Sequence, residues 1–280
     1  MKIVMGGSSE PFIENVKNLC KFGYRPELLV LHRHNYLEIS KRALGRLGIE
    51  TIVTDDIHSL AGRIKKIEPD LMIFIAYPEI IKLSILGIPK IGAVNLHTSI
   101  LPKYRGRHPV NWAIINGERE MGITVHFMNE NIDDGDIVLQ DSIEFARDDD
   151  YGTISKRLIA CGKKLLLTAV RQIENKCAYR RKQIRGFSTY LAKRTPADSR
   201  IDWMKTSFQL NRFINALVDP MPNAFGFKNR ERIQFRRAYP GKRAGEVLGV
   251  TRDGRYVIST NDGVILVNAD TRLKKGDILS

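Results

Sequence analysis

The chain has 280 residues, 43% of them hydrophobic and 27% charged, with a formal net charge of +14. That length builds one large domain or two modest ones around a real core, and the composition is that of an ordinary globular protein. Runs of about 18 uncharged apolar residues are absent, which excludes a membrane-spanning helix, and the charge asks for acidic partners such as nucleic acid, nucleotide phosphates or a polyglutamylated cofactor.

Residues 2–5 read as a short buried strand, with Gly6, Gly7, Ser8 and Ser9 giving a turn and a helix start. The segment MKIVMGG enters that strand directly, so no signal peptide is expected. Phe12, Val16, Leu19 and Cys20 then recur at helical spacing. Apolar strands are expected at 28–31, 51–53, 71–76 and 93–96, with helical patterns at 39–47 and 60–67 between them. This alternation predicts βαβ units: an α/β, doubly wound, mainly parallel sheet of Rossmann-like type. Residues 180–196 break into a polar, basic stretch, the expected linker between a domain at 1–190 and one at 191–280. After a helix at 208–217, short strands at 233–237, 244–251, 256–259 and 264–268 alternate with turns at 252–254 and 261–263. The second domain is therefore expected to be small, mostly β and barrel-like.

From Lys176 to Lys275 the chain holds about half of all Lys and Arg but only about a quarter of Asp and Glu. Cys20, Cys161 and Cys177 are odd in number and lack metal-ligand spacing, as expected of reduced thiols in a cytoplasmic protein.

Asn95 and His97 lie two apart at the end of an apolar strand, which puts both side chains on one face. Open parallel sheets bind ligands beyond the carboxyl ends of their strands. On two residues alone, a loop Asn and a hydrogen-bonded structural His would look the same. The following sequence is more informative: Thr98, Ser99, Ile100, Leu101, Pro102, then Arg105-Gly106, Asn116-Gly117, Gly122-Ile123-Thr124-Val125-His126 and Asp133-Asp134-Gly135. The pattern N-x-H-x-S-x-L-P, R-G, N-G, G-x-T-x-H, D-x-G resembles the folate-dependent formyltransferase family over residues 95–137.

That resemblance implies transfer of a formyl group from 10-formyltetrahydrofolate to a primary amine, with Asn95, His97 and Asp133 at the catalytic positions. Loop composition alone does not separate Asp133 from Asp134 or Asp136; the motif does. The chemistry suits the trio: an amide donor and an imidazolium stabilise an oxyanion, His moves protons, and a carboxylate fixes the imidazole. By the same resemblance, folate contacts are expected at Glu79, Ile80, Ile81, Arg107, Asn129, Glu130, Asn131 and Ile132, and substrate contacts at Tyr104, Arg105 and His108. Residues 133–143 do not follow the EF-hand template and the six histidines make no zinc spacing, so no metal is expected.

Arg194-Thr195-Pro196, Ile201-Asp202-Trp203 and residues 220–225 resemble the second domain shared by methionyl-tRNA formyltransferases and the amino-sugar formyltransferases, such as that for UDP-4-amino-4-deoxyarabinose. Two features favour the sugar branch. Tyr104, Arg105, Gly106, Arg107, His108 and Pro109 are closer to it, and the stretch from His32 to Tyr36 is too short for the tRNA branch's long basic loop. The expected acceptor is a nucleotide-linked amino sugar, with tRNA as the alternative and a homodimer compatible with either. A non-catalytic nucleotide- or RNA-binding protein on this fold would not need the intact trio. A nicotinamide dehydrogenase would need a glycine fingerprint that residues 5–9 do not supply.

Overall fold

The computed structural model describes the chain except residues 34–36, 147–148, 241–246, 252, 261–263, 271, 276, 278 and 280, and gives the backbone alone for 37, 185, 239, 240, 248 and 259. The expected turn at 261–263, part of that at 252–254 and the start of the strand expected from residue 244 therefore lie outside the described residues.

In chain order the first half runs β1 (Ile3–Gly7), α1 (Glu10–Lys21), β2 (Leu28–His32), α2 (Leu37–Gly45), β3 (Thr51–Thr54), α3 (Ala61–Ile67), β4 (Leu71–Ile75), α4 (Leu83–Leu86), β5 (Gly92–His97) and β6 (Arg105–Gly106). It continues with α5 (Pro109–Asn116), β7 (Glu120–Phe127), β8 (Ile137–Glu144), α6 (Tyr151–Glu174), β9 (Tyr190–Leu191) and α7 (Ser207–Asn215). The last strands are β10 (Ala224–Lys228), β11 (Glu231–Pro240), β12 (Val247–Val250), β13 (Tyr256–Ser259) and β14 (Val264–Ala269). The chain forms two compact units, one of residues 1–106, 122–143 and 157–190, the other of residues 107–121, 144–156 and 191–280.

The first unit is built on the seven-stranded sheet β3-β2-β1-β4-β5-β7-β8. β1 to β5 are parallel to one another, and β4 and β5 are adjacent, with Phe74 opposite Asn95. β7 runs antiparallel to β5 and places His126 opposite Asn95 and Thr124 opposite His97. The strand order reverses between β1 and β4, the usual place for a ligand crevice. Val4, Leu28, Val30, Met72 and Phe74 bury one face of the sheet with Ile57, Ile64, Ile81 and Ile85. α1 starts at Ser9, whose Oγ accepts from Phe12 N at 3.4 Å, and buries Phe12, Ile13, Val16 and Leu19. A Cβ on Gly7 would lie 2.3 Å from the Phe12 ring and 2.6 Å from the Ile75 carbonyl. Gly7 thus lets the helix sit close on the sheet.

The second unit carries the five-stranded sheet β10-β11-β14-β13-β12, antiparallel in every described ladder. Among the described residues β10 and β12 are its edges and no ladder closes it into a barrel. α7 begins with a capping box: Gln209 N donates to Thr206 Oγ1 at 3.2 Å and Thr206 N to Gln209 Oε1 at 3.1 Å. Asn215 ties its end to β11, donating to Ala238 O and accepting from Ala238 N, each at 3.1 Å.

Candidate active site

Asn95 and His97 occupy the last turn of pleat on β5, and the sheet register supplies a third polar side chain, His126, from β7. Asp133 reaches the same point from the loop between β7 and β8. That loop holds closely to the sheet because Phe127 N donates to Asp136 O at 2.8 Å. A Cβ on Gly135 would meet the Phe127 carbonyl oxygen at 1.8 Å. The glycine two residues after Asp133 is therefore required by close backbone approach. Asp133 itself has φ +50°, a left-handed conformation that Asp tolerates better than most residues.

His97 is buried, at 7% exposure. Its Nε2 lies 2.8 Å from the carbonyl oxygen of Tyr104, which can only accept, so Nε2 carries the proton. Nδ1 is left with a lone pair, 3.5 Å from Asp133 Oδ2. Burial pushes the imidazole below its usual pKa; the Asp133 carboxylate and the Tyr104 carbonyl act upward, and His126 adds to the lowering. The net lowering favours the neutral ring, whose Nδ1 lone pair faces Asp133.

Asp133 has the opposite balance. Burial alone would raise its carboxyl, but the neighbouring imidazoles of His97 and His126 and the hydrogen bond from the Gly106 amide together hold it well below the carboxylate range. Gly106 N donates to Oδ2 at 2.9 Å and Asn95 Nδ2 donates to Oδ1 at 3.3 Å. His126 Nδ1 lies 2.8 Å from the Phe127 carbonyl, which can only accept, so Nδ1 carries the hydrogen and Nε2 accepts from Asn95 Nδ2 at 3.3 Å. Both amide hydrogens of Asn95 thus have acceptors, and the amide is held with nitrogen, not oxygen, toward the cluster.

The loop after β5 closes over this group. Thr124 Oγ1 donates to Ser99 O at 2.6 Å, Ser99 Oγ donates to Lys103 O at 2.8 Å, and Leu101 N donates to Thr124 Oγ1 at 3.3 Å. These bonds place the Tyr104 carbonyl on His97. They also explain the run Ser99 to Pro102 beside Gly122-Ile123-Thr124: the two segments are bonded to each other.

The expected binding residues are distributed unevenly. Asn129, Glu130 and Asn131 line a cavity of about 410 Å³, whose other wall is Leu83, Leu86 and Gly87 at α4, with Met128 beside them. Ile132 follows, half-exposed at the surface. Glu79, Ile80 and Ile81 do not line it: Ile81 is core, Ile80 is exposed, and Glu79 Oε2 accepts from Ile57 N at 3.2 Å. Tyr104 is buried at 8%. Arg105, at 1%, is committed internally: Nη1 meets Asp134 Oδ1 at 2.6 Å and Tyr190 Oη at 2.7 Å, while Nε and Nη2 donate to Gln183 Oε1 at 3.1 and 2.7 Å. A guanidinium so enclosed holds protein together and has no face for a substrate. Arg107 and His108 belong to the second unit, where burial and then Arg107, Arg194 and Lys193 lower the His108 pKa. His126 belongs to the motif as the histidine of G-x-T-x-H, but the sequence assigns it no place in the site; it stands two residues after Thr124 as a polar exception in an apolar strand. Gln183 had no such signal, lying in the polar stretch expected to be a linker.

A half-buried amide, a buried imidazole and a carboxylate held well below its usual pKa meet at the strand ends of a doubly wound sheet, a set of groups whose chemistry suits group transfer. The sequence matches the formyl transferase family over residues 31–170 and the formyl transferase C-terminal domain over residues 193–280. Methionyl-tRNA formyltransferase of Fusobacterium nucleatum is 32% identical over 218 residues, 76% of this chain and 70% of that one. The fold is shared with a sugar 3N-formyl transferase determined with dTDP and 5-N-formyl-THF, at TM-score 0.72 and 19% identity over 98% of this chain and 99% of the other. An N-formyltransferase of Helicobacter canadensis, in complex with folinic acid and dTDP-3-aminofucose, superimposes at TM-score 0.72 and 18% identity, covering 99% of each. The chain belongs to the formyl transferase family and is a folate-dependent formyl-transfer enzyme.

Proposed function

We propose that the enzyme transfers the formyl group of 10-formyltetrahydrofolate to the amino group of a nucleotide-linked amino sugar, with Asn95, His97 and Asp133 performing the chemistry. The donor's ring system fits the cavity between α4 and residues 128–131. Its volume lies within the range of ligand sites, and it joins the apolar Leu83, Leu86 and Met128 to the polar Asn129 and Asn131. As the amine attacks the formyl carbon, its proton passes to Nδ1 of His97, the vacant position, and from there to the departing folate nitrogen. Asp133, already ionised, stabilises the imidazolium. Asn95 turns an Nδ2–H from Asp133 to the developing oxyanion, while the second stays on His126. The oxyanion replaces a 3.3 Å bond, so little is lost in the exchange.

The observation that carries the sugar reading is the connection after β2. β2 ends at His32 and α2 begins at Leu37, leaving four residues, of which 34–36 lie outside the described part. A long basic loop for the acceptor arm of a tRNA has no room there. The whole-chain likeness to two sugar formyltransferases supports the same choice. A second reading, methionyl-tRNA formylation, is favoured by the name of the 32% identical relative and by the basic C-terminal third. Formyl-transfer assays with 10-formyltetrahydrofolate, comparing nucleotide amino sugars with charged initiator tRNA, separate the two. Efficient formylation of the tRNA overturns the sugar reading. A productive donor other than the folate, such as formyl-coenzyme A, overturns both.

A further inference from the structure

Residues 183–190 lie in the segment whose composition marks it as a linker, yet all belong to the first unit and run beside the catalytic loop. Gln183 is the centre of the contact. Its Nε2 donates to two backbone carbonyls, Asp133 O and Gly135 O, each at 2.8 Å. Its Oε1 accepts both Nε and Nη2 of Arg105. The amide orientation follows from chemistry: guanidinium only donates and carbonyl only accepts, so the reverse placement would fail at every contact. Arg105 in turn holds Asp134 Oδ1 and Tyr190 Oη, and Thr189 fastens the chain on the other side, its Oγ1 accepting from Tyr104 N at 2.8 Å and its carbonyl from Arg105 N at 2.8 Å.

These contacts grip the backbone of Asp133 from behind, at the point where φ is +50°. Asp133 Oδ2 lies 3.5 Å from His97 Nδ1, and the two backbone carbonyls that flank Asp134 are both taken by Gln183. We propose that Gln183 is a positioning residue for the transfer reaction: by binding the carbonyls of Asp133 and Gly135 it keeps the Asp133 carboxylate against Nδ1 of His97. The inference rests on the catalytic roles proposed above. The chain thus uses residues 183–190, fifty or more positions after Asp133, to complete the catalytic loop.

Gln183→Met tests this, since it keeps length and volume, removes both donor and acceptor, and adds no charge. The carboxylate, no longer held, raises the His97 pKa less, so the His97 ring titrates at a more acid pH, the same direction as in Asp133→Asn. Turnover falls about 10- to 100-fold, the cost of a reacting group misplaced by about an ångström, while the folate KM stays within about twofold. The titration is read by NMR of the His97 imidazole in the whole protein, with the ring assigned by comparison with His97→Gln. An unmoved His97 titration in folded Gln183→Met overturns the proposal whatever the turnover. A moved titration in a protein that formylates no amine leaves the positioning intact and removes the assigned reaction. If Gln183→Met does not fold, Gln183→Glu serves: it keeps an oxygen for Arg105 and sets a carboxylate against the two carbonyls. A turnover loss of about tenfold or more with normal melting is expected. Native turnover in that variant refutes the role, because the Arg105 contact alone would then suffice.

Discussion

The first unit holds two groupings of the same residue types, and they differ in what each leaves available. Asp56, His58 and Glu79 lie near the surface with ligand atoms within 4.8 Å of one another. His58 Nε2 accepts from Lys82 N at 3.1 Å, its Nδ1 faces Asp56 Oδ1 at 3.0 Å, and Glu79 accepts from Ile57 N. Asp56 also caps the short turn that follows, accepting from His58 N at 2.9 Å. Each ring nitrogen is used by the protein. In the other grouping, His97 has one nitrogen on a carbonyl and the other beside a carboxylate that cannot donate to it. Burial lowers the pKa of that ring, while the Asp133 carboxyl is held well below its usual range. An imidazole beside a carboxylate is a loop clasp in one place and, on the roles proposed above, a proton relay in the other; the lone pair on His97 Nδ1 separates them.

The comparison is broken most directly at His97. His97→Ala removes the proton acceptor, and turnover is expected to fall about 10,000-fold, the upper end for a positioned acid–base group. A fall of less than tenfold would place the relay elsewhere. Asn95→Ala is expected to lower turnover about 100- to 1,000-fold by removing an oxyanion donor, with binding of a non-reactive folate analogue, measured by calorimetry, unchanged.

Asp133→Asn sharpens the assignment within the loop. The carboxylate raises the His97 pKa, so its loss lowers that pKa further. His97 must be unprotonated to accept the amine's proton, and the acid limb of the rate profile therefore moves to lower pH while the plateau drops about 10- to 100-fold. Rates of Asp133→Asn, Asp134→Asn and Asp136→Asn measured across pH decide the matter. An active Asp133→Asn beside a dead Asp134→Asn or Asp136→Asn would reassign the role. The smallest effect is expected at the other grouping. His58→Ala should leave turnover within about twofold and lower the melting temperature by about 2–4 °C, for roughly one hydrogen bond's worth of stability.

Periodicity revealed the strands of the parallel half because each is a short apolar run bounded by turns. Leu71–Ile75 and Gly92–His97 pair as such runs should. β7 and the 24-residue α6 were harder to read. β7 is nearly continuous in burial, and α6 carries Lys156, Arg157, Lys163 and Lys164 among its apolar positions. Residues 107–121 and 144–156 group with residues 191–280 and not with their neighbours in sequence, a grouping that the order of elements along the chain does not reveal.

The reaction class was legible in the sequence through the resemblance of its motif, in which Asn95, His97 and Asp133 are followed by Gly135, whose close approach to the Phe127 carbonyl admits no side chain. Only the tertiary structure decided the states of those groups. The tautomer of His97 depends on the carbonyl of Tyr104, the direction of the Asn95 amide on His126 one strand away, and the grip on Asp133 on Gln183, fifty residues later in the chain. Hydrogen-bond partners that are distant in sequence, and burial that shifts protons, leave no periodic trace in a chain; they exist once the sheet has brought β5, β7 and the segment after α6 together.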